Sequence, residues 1–340
     1  MKTNQAVITG VGVVAASGIG KEKFWQGLEE GKSAVSPIDT FNTDKFSVKV
    51  AAEIKDFDPK AHLGAKGLRN LDRGTLFLLA AAKLCFEDSG FEITDANTDK
   101  VGVCTGTTFP HLSSIVEFDN EVSKEGIDFA NPALFPSTVI NAASSQVSIR
   151  HNIQGFNATL STGYTSSLEA LAYSLNAMDT EKLETVFCAS VESLIFALFF
   201  GFQKLGYMAG LKGEALSCPF DKRRNGPLLG EAAVMFCVEE EERAKQRNAT
   251  IHAKIKSVAS YFDAFQMSKV HPQGEGLENA VKQALEDAAA RPEDIDYISS
   301  CANSSADVDR IEVKVLKKVF GSSLKNIPVS SIKSVLGETF

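Results

Sequence analysis

Continuous apolar runs alternate along this chain with stretches in which apolar residues recur every three or four positions. The first run, 6–14, reads Ala6-Val-Ile-Thr-Gly-Val-Gly-Val-Val14, the pattern of a strand buried on both faces of a sheet. Runs 101–105, 185–190 and 232–238 read the same way. Leu71, Leu78, Leu79, Ala82 and Cys85 share one face of a helix predicted over 68–88, which Ser89-Gly90 stops. Further helices are predicted over 139–151, over 239–247 with a charged, solvated face, and over 310–320. Leu277, Val281, Ala284, Leu285 and Ala288 mark another helix, stopped by Arg291-Pro292. Strands are predicted over 251–260, 294–301 and 327–331, whereas 33–66 is irregular. Strands alternating with helices imply an α/β fold with largely parallel sheets. A polar linker, Arg247-Asn-Ala-Thr250, suggests two halves, 1–248 and 249–340, each opening with a strand followed by a helix.

Composition narrows the function classes. The sequence is 44% hydrophobic and 23% charged, ordinary for a globular protein. A net charge of −8 argues against a nucleic-acid surface, which needs a basic stripe to neutralise phosphates. No run approaches the ~18 apolar residues of a membrane span. Met1–Gln5 leads directly towards the first strand without a signal-peptide pattern. Six cysteines without CxxC spacing disfavour disulfides and zinc and suit a reducing cytoplasm. No two of the five histidines have helical metal-ligand spacing. Neither a metal nor a cofactor is expected.

The densest candidate chemistry lies at Gly155-Phe-Asn-Ala-Thr-Leu-Ser-Thr-Gly-Tyr164-Thr-Ser-Ser-Leu-Glu-Ala170. A strand is predicted over 156–162, running into a helix that starts near Thr165. Such a turn presents a nucleophile well, because the helix N-terminus supplies N–H groups and partial positive charge. The stretch resembles the nucleophile turn of the β-ketoacyl synthases, the condensing enzymes of fatty-acid and polyketide synthesis. Their motif runs Gly-Pro-Asn, a strand, then Ser-Thr-Ala-Cys-Ala-Ser. Gly155, Asn157, Ser161, Thr162 and Ser166 match it, but Tyr164 holds the cysteine position. The resemblance extends to the N-terminal strand with its Phe24-Trp25 helix, to Asn141-Ala-Ala-Ser-Ser-Gln, to Pro219-Phe-Asp through Gly230-Glu231, and to Lys333-Ser-Val-Leu-Gly.

The resemblance implies a thiolase-like fold, a duplicated α-β-α-β-α layered sandwich. It also implies a longer C-terminal half than the 249–340 segment supplies, so a fragment is one expectation. Family chemistry needs a cysteine thiolate and two histidines. The register set by Asp309-Arg-Ile-Glu312 places Cys301 at the first histidine position, and Lys333-Ser-Val-Leu-Gly-Glu338 places Glu338 at the second. No histidine follows His271. Lys333 and Glu312 match retained family positions and are expected to form a buried pair. Lys66 and Arg69 resemble basic residues that greet an acyl carrier protein. Phe109, Phe156, Leu160 and Phe202 are the candidates for the acyl pocket or the subunit interface, the strand before the turn lying at the family's dimer interface.

Loss of the triad within an intact scaffold suggests a non-catalytic, chain-length-factor-like subunit. Such a subunit would form a heterodimer with an active ketosynthase and meet an acyl carrier protein, although chain-length factors usually carry Gln where Tyr164 stands. The alternatives are a condensing enzyme of altered chemistry using Cys301 or Tyr164, and a decayed fragment. Weaker still is a nicotinamide-dependent oxidoreductase, for which Gly10 and Gly12 offer only part of a dinucleotide fingerprint.

Overall fold

The structure is a computed structural model that describes residues 6–181, 183–266 and 269–340; Met1–Gln5, read above as the approach to the first strand, lies outside them. Its main strands are β1 (Ala6–Ala15), β2 (Val101–Gly106), β3 (Asn157–Leu160), β4 (Thr185–Glu192), β5 (Ala232–Glu240), β6 (Ala253–Ile255), β7 (Ile298–Ser299) and β8 (Val329–Ser330). Its main helices are α1 (Lys21–Glu29), α2 (Arg73–Ser89), α3 (Leu112–Glu125), α4 (Ala142–His151), α5 (Ser166–Thr180), α6 (Phe196–Leu205), α7 (Glu275–Asp287) and α8 (Ala306–Phe320).

The main sheet has seven strands, five of which run in the order β1, β5, β4, β2, β3. The expectation of largely parallel pairing needs correction, because the sheet is mixed. β4 pairs with β2, and β2 with β3, in parallel, whereas β5 runs antiparallel to both β1 and β4. β4 reaches its next strand, β5, through α6 and a long loop that buries Met208, Ala209, Leu228 and Leu229, and β1 joins as the far neighbour of β5. The predicted strand over 251–260 shrinks to β6, which pairs with Ala6–Ile8 of β1 instead of opening a separate second sheet. In the C-terminal segment β7 and β8 form a short parallel pair, and α7 and α8 pack together beside it.

Alternation along each strand explains why the central runs are apolar throughout. Val103, Phe187 and Cys237 face α2, while their neighbours Cys104, Cys188 and Val238 face α5. Successive strand residues point to opposite faces, so helices on both sides demand apolar residues at every position. Burial of each Leu or Phe contributes roughly 1.5–3 kcal/mol, and Phe77, Leu78 and Leu79 of α2 are all nearly inaccessible. Helix α2 begins at Arg73, not at 68, because Asp72 caps it, its carboxylate accepting the Thr75 N–H at 2.8 Å.

Gly12 belongs to this packing and not to a nucleotide loop. A Cβ there would stand 1.9 Å from the Ala81 carbonyl oxygen of α2. The glycine lets helix and strand approach, which removes the main support for the nicotinamide reading. Helix α3 was not foreseen: Ser114 is its single buried residue among those described, so little core periodicity marks it.

Candidate functional site

The predicted strand–turn–helix forms, with tighter bounds. β3 stops at Leu160, Gly163–Thr165 make one 3-10 turn, and α5 starts at Ser166. The Ser166 hydroxyl closes the turn: it accepts the Thr162 N–H at 2.9 Å and donates to the Gly163 carbonyl at 2.7 Å. Thr108 Oγ1 donates to the same carbonyl at 2.9 Å, tying the turn to the segment after β2. Gly106 permits the contact, since a Cβ there would meet the Ser166 carbonyl oxygen at 2.3 Å.

Tyr164 projects from this turn and is 54% exposed. Its ring centroid lies 5.2 Å from that of Phe340, which in turn lies 5.2 Å from Phe109 and 5.4 Å from Phe202. Phe109 and Phe202 meet edge to face at 6.1 Å. The structure thus brings Tyr164, Phe109 and Phe202 together, with Phe340 as the shared neighbour. Surrounding protein, then the Glu338 carboxylate and Tyr207, push the Tyr164 phenol above its ordinary pKa. The group is a poor oxyanion source at neutral pH.

Glu338 is fully buried beneath these rings. Lys333 Nζ reaches both of its oxygens, at 2.8 and 2.9 Å. Asn303 Nδ2 donates to Oε2 at 2.8 Å, and the Phe340 N–H donates to Oε1 at 3.0 Å. One helical turn (Lys333–Leu336), then Gly337 at φ 68°, folds the five-residue segment back so that lysine and glutamate meet. The expected Lys333–Glu312 pair is therefore corrected: Lys333 bonds to Glu338. Glu312 instead accepts the Cys301 N–H at 2.9 Å through Oε1, and its Oε2 has no partner. Burial raises the Glu312 pKa, as a carboxyl lacking a cation should show.

Cys301 reaches the surface at the end of β7. The protein packed around its thiol, followed by the charge of Glu312, nevertheless pushes its pKa up to about 12. A nucleophilic cysteine needs the opposite shift. Tyr164 and Cys301 both feel the Glu338 carboxylate, and neither is a ready nucleophile.

The remaining candidates fall elsewhere. Leu160 ends β3, the open edge of the main sheet, and Phe156, just before that strand, stacks on Tyr173 of α5 at 5.7 Å between centroids. Lys66 and Arg69 are exposed in the loop before α2, not on a helix start. There Arg150 of α4 donates to the Gly67 carbonyl at 2.6 Å. Sequence reasoning missed Asn303, Phe340 and Glu192. Only the turn residues Asn303-Ser304-Ser305 ahead of α8 offered a signal for the first, and no local pattern marks the others.

Comparison with known proteins places this geometry. The family profile described as Beta-ketoacyl synthase, N-terminal domain matches residues 3–244, and that described as Beta-ketoacyl synthase, C-terminal domain matches residues 252–340. The chain belongs to the β-ketoacyl synthase family. A 3-oxoacyl-[acyl-carrier-protein] synthase 2 of Coxiella burnetii is 34% identical over 344 residues, covering 99% of this chain and 82% of that protein. Among solved structures, the ishigamide ketosynthase/chain length factor superposes with a TM-score of 0.89 at 26% identity, covering 99% of this chain and 82% of that one. The AntDE:AntF structure, a type II polyketide acyl-carrier protein in complex with its ketosynthase, gives 0.87 at 26% identity, with 98% and 82% covered. The fold is accordingly the thiolase-like α/β fold of β-ketoacyl synthases, with a mixed sheet between helices. No helix among the described residues is long and apolar enough to cross a membrane.

Proposed function

We propose that this chain is a non-catalytic, chain-length-factor-like subunit that works with an active β-ketoacyl synthase in fatty-acid or polyketide synthesis. The observation that carries this reading is the Lys333–Glu338–Asn303 network. Condensation requires hydrogen-bond donors that stabilise developing enolate and oxyanion charge. By the resemblance a buried carboxylate stands where the family holds a histidine, and it engages the lysine ammonium and the asparagine amide. An added anion would meet the negative charge of Glu338, which already engages the lysine ammonium twice and the asparagine amide once.

The alternative of altered chemistry through Cys301 or Tyr164 runs against the upward pKa of both groups. Partnership rests on other features. β3 is an open sheet edge, and beside it Leu168 and Tyr173 of α5 are 61% and 44% exposed. Unpaired edges of this kind invite pairing with another chain. The ketosynthase/chain length factor neighbour supports a heterodimer, and the ketosynthase–carrier-protein neighbour supports an acyl carrier protein as a further partner, for which the exposed Lys66 and Arg69 offer positive charge.

The experiment has two arms. Purified alone and given acyl- and malonyl-carrier thioesters, the chain should make no elongated product and carry no acyl adduct by intact-mass spectrometry. Co-expressed with an active ketosynthase from the same genome, it should elute as a heterodimer, and Leu160→Lys should abolish that complex. An acyl adduct lost on Cys301→Ala, or a stable monomer that ignores the ketosynthase, would overturn the reading.

A further inference from the structure

Behind the turn that carries Phe109 lies a small polar chamber. It is bounded by the C-terminal ends of β2 and β4 and the N-terminal turn of α2, and it leaves about 20 Å³ of room for the centre of a water molecule. Its walls include Thr105, Thr107, Ser144, Thr159 and Glu192. Dry protein cavities are apolar, and roughly 10–15 Å³ of such room suffices for one water when two to four polar partners surround it.

One group on these walls lacks a partner and a second is unevenly bonded. Thr105 is 1% exposed and its Oγ1 has no hydrogen-bond partner. Glu192 is 4% exposed and its bonds are lopsided. Oε1 accepts Thr107 Oγ1 at 2.9 Å, the Thr108 N–H, and the Phe109 N–H at 3.2 Å. Oε2 has only a long contact with the Phe109 N–H at 3.4 Å. A buried hydroxyl without a partner and a buried carboxylate oxygen with one long bond each carry a desolvation cost. Beside Thr105, on the paired strand, Thr159 Oγ1 is already bonded to Ser144 Oγ at 2.9 Å, yet each oxygen keeps acceptor capacity.

We propose that this chamber is a built water site, in which one ordered water bridges Thr105 Oγ1 and the Glu192 carboxylate. The water accepts the Thr105 O–H, donates to Glu192 Oε2, and turns its second hydrogen towards the wall hydroxyls. Balanced in this way, Glu192 holds the backbone of Thr107, Thr108 and Phe109, and that backbone sets the Phe109 ring against Phe202 and Phe340. Glu192 is a positioning residue for the aromatic wall, and the water completes its bond set. This inference concerns the local architecture and stands whether or not the chain is catalytic.

Oxygen-17 water relaxation dispersion on the full chain counts long-lived internal waters. Thr105→Val keeps the side-chain shape and removes the hydroxyl, so it should lose one long-lived water relative to wild type. Thr105→Ser restores a hydroxyl and should keep it. Hydrogen exchange of the Thr108 and Phe109 amides should rise about tenfold in Thr105→Val, the scale of one lost hydrogen bond, while amides of β1 keep their rates. Equal water counts in wild type and Thr105→Val would overturn the proposal. So would an anomalous rubidium signal in the chamber of a soaked crystal, or loss of the water without any change at Thr108 and Phe109.

Discussion

The two limbs of the candidate site diverge. On the strand–turn–helix limb, Ser166 closes the turn, Gly106 allows its close approach, and the N-terminal end of α5 points at the site. That limb is a tight strand–turn–helix with Tyr164 at its tip. On the C-terminal limb the charges pair otherwise than the resemblance implies. Glu338 captures Lys333, Glu312 is left with an unpartnered oxygen, and Cys301 sits beside an acid instead of a base. The difference teaches that backbone geometry is set by small local residues, whereas catalytic electrostatics depends on a few charges that can re-pair without moving the fold.

The largest effect should come from breaking the Lys333–Glu338 pair. Glu338→Leu alone strands the Lys333 ammonium and should cost about 3–5 kcal/mol, while Lys333→Met with Glu338→Leu should recover most of that loss. Urea unfolding at constant slope is the measurement. If the double variant is as unstable as the single one, the ion pair is not what holds the segment.

Glu192 links the limbs and should rank second. Burial raises its pKa in the folded state, with its hydrogen bonds acting against that shift. Between the ordinary carboxyl range and the raised folded value, the folded protein holds the proton more tightly than the unfolded chain. This contribution to stability is therefore complete below that window and is lost as pH rises through it. Glu192→Gln should flatten that slope and cost about 1–3 kcal/mol through the mismatched Thr108 and Phe109 N–H groups.

The smallest effect is expected at Cys301. Its bond to Glu312 runs through the backbone N–H, which Cys301→Ala retains, so stability should change by less than about 1 kcal/mol. A larger loss would show that the thiol itself holds the C-terminal limb together.

Legibility in the sequence follows the same division. The apolar runs of β1, β2, β4 and β5 announced buried strands because helices cover both faces, and the turn at Tyr164 was legible because its small residues are contiguous. Pairing direction was not, since the antiparallel placement of β5 depends on partners far apart in sequence. β6 was misjudged for the same reason: three residues find their place only against Ala6–Ile8. The absence of histidines at Cys301 and Glu338 could be read directly. The new partner of Lys333 could not, because it arises from a turn at Gly337 that a motif match does not describe.

The central claim is that the C-terminal limb, and not Tyr164 alone, withholds condensation. Carbon dioxide release and elongated product, measured on Tyr164→Cys with acyl- and malonyl-carrier thioesters, test it most directly. Losing a single electrostatic donor already costs about 10²–10³ in rate. We expect Tyr164→Cys to accept at most an acyl group and to form no elongated product. Condensation by Tyr164→Cys at a rate comparable to an intact ketosynthase would contradict the account.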